Sequence, residues 1–534
     1  MLAIRFYERM SWLIVVAACW SCPCFAQDKA ADKPKPVFVP KITIGKETTW
    51  ATEPVGPSGF IDYLAVVNQR HSGGVTSENN AVVPLYRALG PRPAGGNRRP
   101  DQFFQLLGIE PLPDDGEYFV DLSKWWELKE KPLPVEGLNA VYELQKASHE
   151  RPWNAKEFPH TAEWLRDNEV PLRLVAEAVE RPEYFSPLVS ENGEKGKMIA
   201  VLLPGVQSAR SIARALTARA MLRLGEGNDF EAWRDLIVIH RLGRLVGRGP
   251  TLIEGLVGIA LETLAIDAEL RFLSEAQPPT KFVTRYLKQI NSLPARSLMA
   301  DKIDVGERAM YLDCCHHLAR GSMNLDTLAD EVPDDSILEK LLKGAVSQSV
   351  DWDEILKSGN RWYDRLVTAS RTPAYREREV ALRKLDDELK ELTKKRQGAG
   401  ALLALLGGKA ALTQTFSDTL ISLLTPTVRQ CIKAENRLTQ RLRNLEVALA
   451  LSSWRSEHEA YPASLTDLAP KYLAVVPNDL FNDRPLHYAR TAEGYVFYSV
   501  GDNEKDDEGR SFDDMPAADD LVVRMPKPLP KADR

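Results

Sequence analysis

The feature that most constrains this chain is a helical period in its apolar residues, which persists from about residue 136 to about residue 460. Between residues 206 and 224, apolar side chains recur at steps of three and four, which places them on one face of an α-helix. Gly and Pro interrupt the pattern at intervals and mark turns between successive helices. Because no repeat of fixed length is found, the pattern predicts an irregular array of helical hairpins rather than a regular solenoid.

The predicted fold class is mainly α, with the helical-hairpin array followed by a small α+β domain in which a long helix packs on a short antiparallel sheet. Hydrophobic residues make up 44% of the 534 residues and charged residues 27%, proportions that are ordinary for a globular protein. The predicted segments are a signal peptide at 1–26, a disordered linker at 27–41, a mixed module at 42–135, a helical domain at 136–430, an α+β domain at 431–525 and a tail at 526–534.

The N-terminal residues have the pattern of a secretory signal. Arg5 and Arg9 precede an apolar run over residues 12–22, and small residues then stand at the positions that a signal peptidase reads, which predicts cleavage before Gln27. The run is short for a membrane-spanning helix. We therefore expect an exported protein, periplasmic or extracellular, without a transmembrane anchor after cleavage; a retained leader or a lipid anchor on Cys22 or Cys24 is the weaker alternative.

Cleavage leaves Cys314, Cys315 and Cys431, too few for a disulfide-stapled scaffold, so the chain is expected to fold through a hydrophobic core. The first two belong to a run of soft metal ligands that continues with His316 and His317. On a helix, only the first and last of these four residues share a face, and two ligands do not complete a zinc site. The favoured interpretation is a helix over residues 305–320 that buries its cysteines as small hydrophobic side chains.

Common catalytic motifs are absent from the sequence: it contains no H-E-x-x-H, no G-x-S-x-G and no phosphate-binding loop. The formal net charge is -6 and much of it lies near the C-terminus, so the rest of the chain is close to neutral, which argues against nucleic-acid binding. The chain is therefore expected to lack enzymatic activity. The alternative is an exported hydrolase that uses dispersed carboxylates and aromatic clusters such as Trp125-Trp126.

The last hundred residues predict a separate α+β unit. A long amphipathic helix over residues 437–458 precedes a short second helix that Ser464 caps. Strand-like runs follow at 486–489, 494–500 and 521–524. Between the second and third strands, residues 502–520 contain nine carboxylates and only two basic residues.

A string of spaced residues in this segment resembles the globular domain of the major pseudopilins of type II secretion. The residues that carry the resemblance follow the long helix and cover, with it, about residues 437–524. They are Tyr461-Pro462, Leu465, Leu468, Pro470, Tyr472-Leu473, Pro477, Asp479, Pro485-Leu486, Tyr488, Gly494-Tyr495, Tyr498-Ser499 and Gly501. The rest of the chain is similar to large secreted bacterial proteins of uncharacterised function.

The resemblance implies a calcium ion in the loop that follows the Tyr-Ser-x-Gly strand. The composition points the same way, because clustered carboxylates repel one another unless water or a hard cation neutralises them, and calcium takes six to eight oxygen ligands. The alternative is a flexible, hydrated acidic loop. The candidate calcium ligands are Asn503, Asp506, Asp507, Asp513, Asp514, Asp519 and Asp520.

The chain also departs from the pseudopilin pattern. Leu480 and Asp483 stand where Pro and Gly are usual, and some 400 residues separate the ordinary leader from the domain. A borrowed domain is therefore expected rather than a polymerising subunit. The resulting hypothesis is an exported, non-enzymatic envelope protein, a helical scaffold with a calcium-stabilised domain for protein–protein contact in the envelope. A second alternative is an accessory component that docks on a type II secretion pseudopilus.

Overall fold

The helical period of the apolar residues is realised as a long series of α-helices in the computed structural model. The structure describes residues 40–129, 137–190, 197–201, 203–276, 278–323, 349–397, 407–425 and 428–529. The predicted signal peptide and all but the last two residues of the predicted linker lie outside these ranges. Within them the fold class is confirmed, since helices dominate and one small antiparallel sheet lies near the C-terminus.

The helix predicted at 206–224 is present at Pro204–Gly225, whereas the long helix predicted at 437–458 begins nine residues earlier, at Val428. The α-helices are α1 Tyr63–His71, α2 Val82–Leu89, α3 Asp101–Leu107, α4 Leu122–Leu128, α5 Leu138–Glu150, α6 Pro159–Asp167, α7 Glu169–Ala178, α8 Pro204–Gly225, α9 Asp229–Val246, α10 Leu252–Ala276, α11 Thr280–Asn291, α12 Met299–Lys302, α13 Arg308–Ala319, α14 Trp352–Ser370, α15 Tyr375–Gln397, α16 Gly408–Leu424 and α17 Val428–His458. A π-helical segment, Ile303–Glu307, joins α12 to α13.

Helix α8 illustrates why the pattern predicts structure well. Pro204 begins it, at a position where a missing N–H is tolerated. Its predicted apolar face is buried throughout. The residues of that face are Val206, Ala209, Ala213, Leu216, Ala220 and Leu224.

Packing divides the chain into two compact units, and this division differs from the predicted domain limits. The first unit contains Met1–Arg70, Leu188–Leu202 and Ala300–Gln430, and the second contains His71–Pro187, Leu203–Met299 and Cys431–Arg534. The predicted helical domain at 136–430 is therefore shared between two units. The predicted α+β domain at 431–525 belongs to the second unit together with helices from the middle of the chain.

Helices α8, α9 and α10 form the centre of the second unit. Two glycines allow α9 and α10 to approach closely, because a Cβ atom added at Gly258 would lie only 2.6 Å from the carbonyl oxygen of Gly243. The hydrophobic core that surrounds these helices is continuous with the C-terminal domain, since it contains Phe272 of α10, Leu445 of α17 and Phe497 of the sheet.

The sheet has three antiparallel strands in sequence order, β1 His487–Arg490, β2 Tyr495–Ser499 and β3 Leu521–Met525. In the register, Phe497 of β2 lies opposite Val523 of β3. Alternate residues of β2 and β3 are buried, as a sheet with one covered face requires. The predicted short helix that follows α17 is a single 3₁₀ turn, Leu465–Leu468, and Ser464 caps it as expected.

The chain after β3 is attached to α10. The guanidinium group of Arg271 donates hydrogen bonds to the carbonyl oxygens of Lys527 and Pro528, at 2.7 and 2.6 Å. The backbone N–H of Lys527 in turn donates to Ser274 Oγ at 2.9 Å. The α+β domain is therefore tied to the helical part of its own unit by polar contacts as well as by the shared core.

In the first unit, α14 binds the segment that precedes α1. Asn360 Nδ2 donates hydrogen bonds to the carbonyl oxygens of Glu47 and Thr48, at 2.9 and 2.8 Å. Gly359 lies under a ring of α13, because a Cβ atom at this position would lie 2.1 Å from Tyr311. Within the described ranges, no helix combines the length and the apolar character that crossing a bilayer requires.

Candidate functional site

The acidic loop between β2 and β3 is held by the long helix α17. Asn444 Nδ2 donates a hydrogen bond to the carbonyl oxygen of Leu521, where the loop ends, at 3.0 Å. Gln440 Oε1 accepts one from the backbone N–H of Leu480, at 2.8 Å. Both side chains are buried, so these bonds are shielded from water and fix the helix against the segments that flank the sheet.

Asp479 fixes the start of the loop. This carboxylate is 1% exposed and accepts hydrogen bonds from Ser499 Oγ at 2.9 Å and from the backbone N–H of Val500 at 2.8 Å. Gly501 follows with a φ of 71°, a conformation that glycine adopts without strain. A Cβ atom at Gly501 would lie 2.3 Å from the carbonyl oxygen of Asp519, so the two ends of the loop lie against each other.

Four of the seven predicted calcium ligands come together inside the loop. Asn503 Nδ2 donates to Asp507 Oδ2 at 2.9 Å, and the backbone N–H of Asn503 donates to Asp519 Oδ2 at 2.9 Å. Asp520 is 1% exposed and accepts the N–H of Gly509 at 2.8 Å. Backbone amides therefore supply the donors that these carboxylates need.

Two arginines from outside the loop neutralise further carboxylates. Arg437 of α17 lies 2.7 Å from Asp519 and 3.1 Å from Asp502, and Arg524 of β3 lies 2.9 Å from Asp514. Burial raises the pKa of the Asp514 carboxyl, but hydrogen bonds from the Ser511 backbone and Arg524 outweigh that effect, and the pKa is lowered. The sequence pattern contains no signal for these arginines, because 65 and 82 residues separate Arg437 from its two partners.

The two remaining predicted ligands, Asp506 and Asp513, are exposed on the outside of the loop. Asp506 accepts a hydrogen bond from the hydroxyl of Tyr498 at 3.0 Å, and this contact, after burial of the ring, raises the pKa of Tyr498 to about 12. Two apolar side chains are exposed on the same loop, Phe512 at 45% and Met515 at 86%. The loop thus has an inner side on which the carboxylates are hydrogen-bonded, except for Asp502 Oδ1, which has no hydrogen-bond partner among the described residues. Its outer side is acidic and partly apolar.

Calcium would have to compete with these internal hydrogen bonds. Among the residues that the structure describes, no three His, Cys, Asp or Glu side chains lie close enough together to hold a metal ion. The carboxylates that do approach one another already accept N–H donors or arginine. The donor chemistry suits calcium, but its arrangement is not that of a ligand cage, and the calcium site stays a prediction.

The run of soft ligands at residues 314–317 lies on α13 in the first unit. Cys314 and Cys315 are free thiols with no exposed surface. Burial raises the pKa of Cys315 to about 12, so the thiolate that would bind metal is strongly disfavoured. Both cysteines therefore serve as small hydrophobic side chains, which is the interpretation that the sequence favours.

A buried charge cluster in the second unit is not signalled by any sequence motif. His240 of α9 lies between two glutamates of α10: its Nε2 is 3.1 Å from Glu269 and its Nδ1 is 3.6 Å from Glu262. Arg244 Nε lies 2.6 Å from Glu262. This pair of carboxylates has the composition of a hydrolytic site, but His240, Glu262 and Glu269 are at most 1% exposed, so a substrate has no access to them.

Comparison of the chain with protein-family models, with curated proteins and with solved structures found no match. The resemblance of residues 437–524 to the major pseudopilins is therefore a hypothesis that depends on the spaced residues alone.

Proposed function

We propose that the protein is an exported scaffold whose C-terminal domain binds other proteins of the cell envelope through the outer side of its acidic loop. The observation that carries the proposal is that hydrogen bonds fix the conformation of this loop. Its inner carboxylates are held by backbone amides and by Arg437, while its outer carboxylates are exposed. A loop of this kind loses little conformational entropy when a partner binds, which favours affinity.

The composition of the outer side favours a basic partner with an apolar contact. Glu504, Asp506, Glu508 and Asp513 are exposed and carry the negative charge. Peripheral charges of this kind accelerate encounter with an oppositely charged surface, and an exposed side chain such as Met515 supplies apolar area to bury. Phe512 is partly held already, since the guanidinium group of Arg437 lies 5.0 Å from the centre of its ring.

The test is affinity capture from the cell envelope with the mature chain and a triple variant, Glu504→Gln, Glu508→Gln and Asp513→Asn. We expect capture of a specific partner that is about tenfold slower with the variant at low ionic strength, because three exposed charges are lost. A control with the same change in charge is the triple variant Glu110→Gln, Asp115→Asn and Glu226→Gln, at exposed positions elsewhere in the same unit. Equal capture by both variants would contradict the proposal.

Calcium is proposed as a stabiliser of the same loop, on the strength of the carboxylates gathered around Asp507 and Asp519. Binding to the native state alone raises the melting temperature as the ligand concentration rises. We therefore expect a higher melting temperature in millimolar calcium than in chelator, and no such difference for Asp507→Asn. An unchanged melting temperature for the unmodified chain would remove calcium from the proposal.

Export is proposed from the N-terminal sequence, which lies outside the described residues. The expected mature protein begins at Gln27. N-terminal sequencing of the protein recovered from the envelope fraction tests this directly, and a chain that still begins at Met1 in the cytoplasm would contradict it.

A further inference from the structure

The C-terminal end of α13, in the first unit, places an exposed serine against a buried histidine. The helix ends with Gly321 at a φ of 66°, and the backbone N–H of Ser322 donates a hydrogen bond to the carbonyl oxygen of His317 at 3.0 Å. Together with a bond from the Gly321 N–H to the carbonyl oxygen of Leu318, this is a Schellman motif. The motif directs Ser322 back over the last turn, where its Oγ lies 2.9 Å from His317 Nδ1.

The second nitrogen of His317 faces a carboxylate one helical turn earlier. His317 Nε2 lies 3.7 Å from Asp313 Oδ1, and both side chains are 4% exposed. The other oxygen of Asp313 accepts the backbone N–H of Met198 at 2.9 Å, which fixes the carboxylate in place. The Ser322 hydroxyl can turn to donate either to Nδ1, at 2.9 Å, or to the carbonyl oxygen of His317, at 3.1 Å. In the first orientation the proton of a neutral imidazole lies on Nε2, on the side of Asp313.

A fixed cation completes this cluster. Arg320 Nη1 donates to Ser58 Oγ at 2.8 Å, and Nη2 lies 3.0 Å from His317 Nδ1 and 3.1 Å from His317 Nε2. The guanidinium group also lies over the ring of Phe60, 5.2 Å from its centre. Since Arg320 Nη2 and Ser322 Oγ both lie within 3.0 Å of His317 Nδ1, the guanidinium group is placed to stabilise an oxyanion that forms at the carbonyl oxygen of a substrate attacked by Ser322.

We propose that Ser322, His317 and Asp313 form an acyl-transfer site that hydrolyses small carboxylic esters. Ser322 is the nucleophile, His317 is the general base, Asp313 orients the imidazole, and Arg320 faces the oxyanion. An exposed nucleophile within hydrogen-bond reach of a base, which a third group orients, is the arrangement that nucleophilic catalysis requires. The π-helical segment Ile303–Glu307, which leads into α13, is a further feature found often at functional sites.

The reaction balances without a cofactor. Ser322 Oγ attacks the ester carbonyl carbon while its proton passes to His317 Nδ1, and the carbonyl oxygen becomes an oxyanion beside Arg320. The tetrahedral adduct then expels the alkoxide, which takes the proton from His317 and leaves as the alcohol. A water molecule attacks the acyl group on Ser322, with His317 again accepting the proton, and the carboxylic acid and free serine result.

A simple capping serine is the competing interpretation, and the chain contains a matched example of one. Ser292 is an exposed serine just after α11 whose Oγ donates to the carbonyl oxygen of Gln289 at 2.8 Å. Ser322 makes the equivalent contact with the carbonyl oxygen of His317, at 3.1 Å. What distinguishes Ser322 is the imidazole beside it, so the two serines should differ in reactivity only if His317 acts as a base.

The experiment treats the full mature chain with a fluorophosphonate, which modifies activated serine hydroxyls, and maps the product by peptide mass spectrometry. We expect modification of Ser322 and none of Ser292. Replacing the base with His317→Asn should slow the modification on the order of 100-fold, the usual contribution of a general base. Hydrolysis of p-nitrophenyl acetate should fall in parallel and should be lost in Ser322→Ala.

Asp313 acts through His317. Its role is tested by the pH dependence of the rate at which the fluorophosphonate modifies Ser322. Burial raises the pKa of the Asp313 carboxyl to about 7, so its negative charge acts on the imidazole above that pH. Removing this charge with Asp313→Asn should move the pH of half-maximal rate down while the maximum rate falls. The other charged groups near Asp313 are Arg320, Asp62 and Lys197, and the variant leaves them unchanged. A purely structural role for Asp313 would not move the midpoint.

Two results would overturn the proposal. One is a folded wild-type chain, judged by circular dichroism, in which Ser322 is not modified. The other is modification of Ser322 at the same rate in a folded His317 variant, for which His317→Gln serves if His317→Asn unfolds. The site lies in the first unit and the acidic loop in the second, so failure here leaves the proposed scaffold function to its own test.

Discussion

His240 and His316 are both buried imidazoles, but their surroundings move their pKa values in opposite directions. Burial alone lowers the pKa of His240, yet the nearby carboxylates of Glu269 and Glu262 outweigh it and raise that pKa to about 9. His316 packs against the ring of Phe60, and neither of its ring nitrogens has a hydrogen-bond partner in the described part of the chain; burial lowers its pKa to about 3. At neutral pH the first is an imidazolium and the second is neutral.

The raised pKa of His240 predicts a loss of stability in alkali. The folded state binds this proton more tightly than the unfolded state, so the contribution is complete below pH 6.5 and disappears as the pH rises to about 9. We expect the free energy of unfolding to fall by about 3 kcal/mol over this interval. Chemical denaturation across the interval checks the value, and His240→Gln should flatten the profile whereas the exposed His458→Gln should not.

The lowered pKa of His316 predicts the opposite behaviour in acid. Below pH 6.5 the unfolded chain binds a proton that the folded chain accepts only near pH 3, so the free energy of unfolding falls as the pH falls. His316→Leu should reduce this acid sensitivity and leave the melting temperature at pH 7 unchanged or higher, because no hydrogen bond is lost. A lower melting temperature at pH 7 would show that the imidazole has a partner.

The close packing of helices α9 and α10 depends on glycine. At Gly258 an added Cβ would meet only backbone, namely the carbonyl oxygen of Gly243 at 2.6 Å and the Cα of Gly247 at 2.8 Å. Backbone atoms of two packed helices cannot move aside as a side chain does. The same two helices carry His240 and Glu262, so their separation also controls the buried charge cluster.

Gly258→Ala is therefore expected to destabilise the protein, although alanine is the better helix former. The gain in helix propensity is about 1 kcal/mol, and forcing two helix backbones apart costs roughly 1–3 kcal/mol and strains the charge cluster as well. Thermal unfolding should show a lower melting temperature. Gly96→Ala is the control, because its Cβ would make only an ordinary contact of 3.5 Å; equal effects of the two changes would contradict the packing argument.

The C-terminal domain shares its hydrophobic core with the helices of the second unit. Leu445 of α17 and Phe497 of β2 belong to the same buried cluster as Phe272 of α10. The last described residues are attached to α10 through Arg271 and Ser274. The pattern of residues 437–524 suggests a portable domain, whereas packing makes it one part of a larger unit.

An isolated fragment of residues 431–529 is accordingly expected not to fold cooperatively. Its apolar surface toward α10 would be exposed to water, and a chain of this size buries too little apolar surface in its own core to offset that loss. We expect strong binding of the dye ANS and no sharp thermal transition, whereas the full chain should melt cooperatively. A cooperative transition with well-dispersed NMR signals from the fragment would contradict this and would strengthen the resemblance to a free-standing pseudopilin domain.

Most of the helices and strands could be predicted from the sequence, but the candidate sites could be predicted only in part. The helix predicted at 206–224, the strand predicted at 494–500 and the cap at Ser464 are all present, because each depends on neighbours within a few residues. The acidic loop was also evident from its composition. The hydrogen bonds that its carboxylates accept from backbone amides and from Arg437 were not evident from the sequence, since those donors are brought together only by the fold.

Apolar periodicity acts over one or two turns of backbone, so the amino-acid pattern is enough to specify a helical protein with a helix and a small antiparallel sheet in its last hundred residues. The fold, in contrast, determined which charges are neutralised: His240 contacts Glu269, 29 residues away in the chain, and Arg437 contacts Asp519, 82 residues away. It likewise decided that the core runs through both the helices and the sheet of the second unit. Partners so far apart in the chain are brought together by the way the faces of helices and strands pack and by where burial removes water. Neither can be deduced from the local spacing of residues.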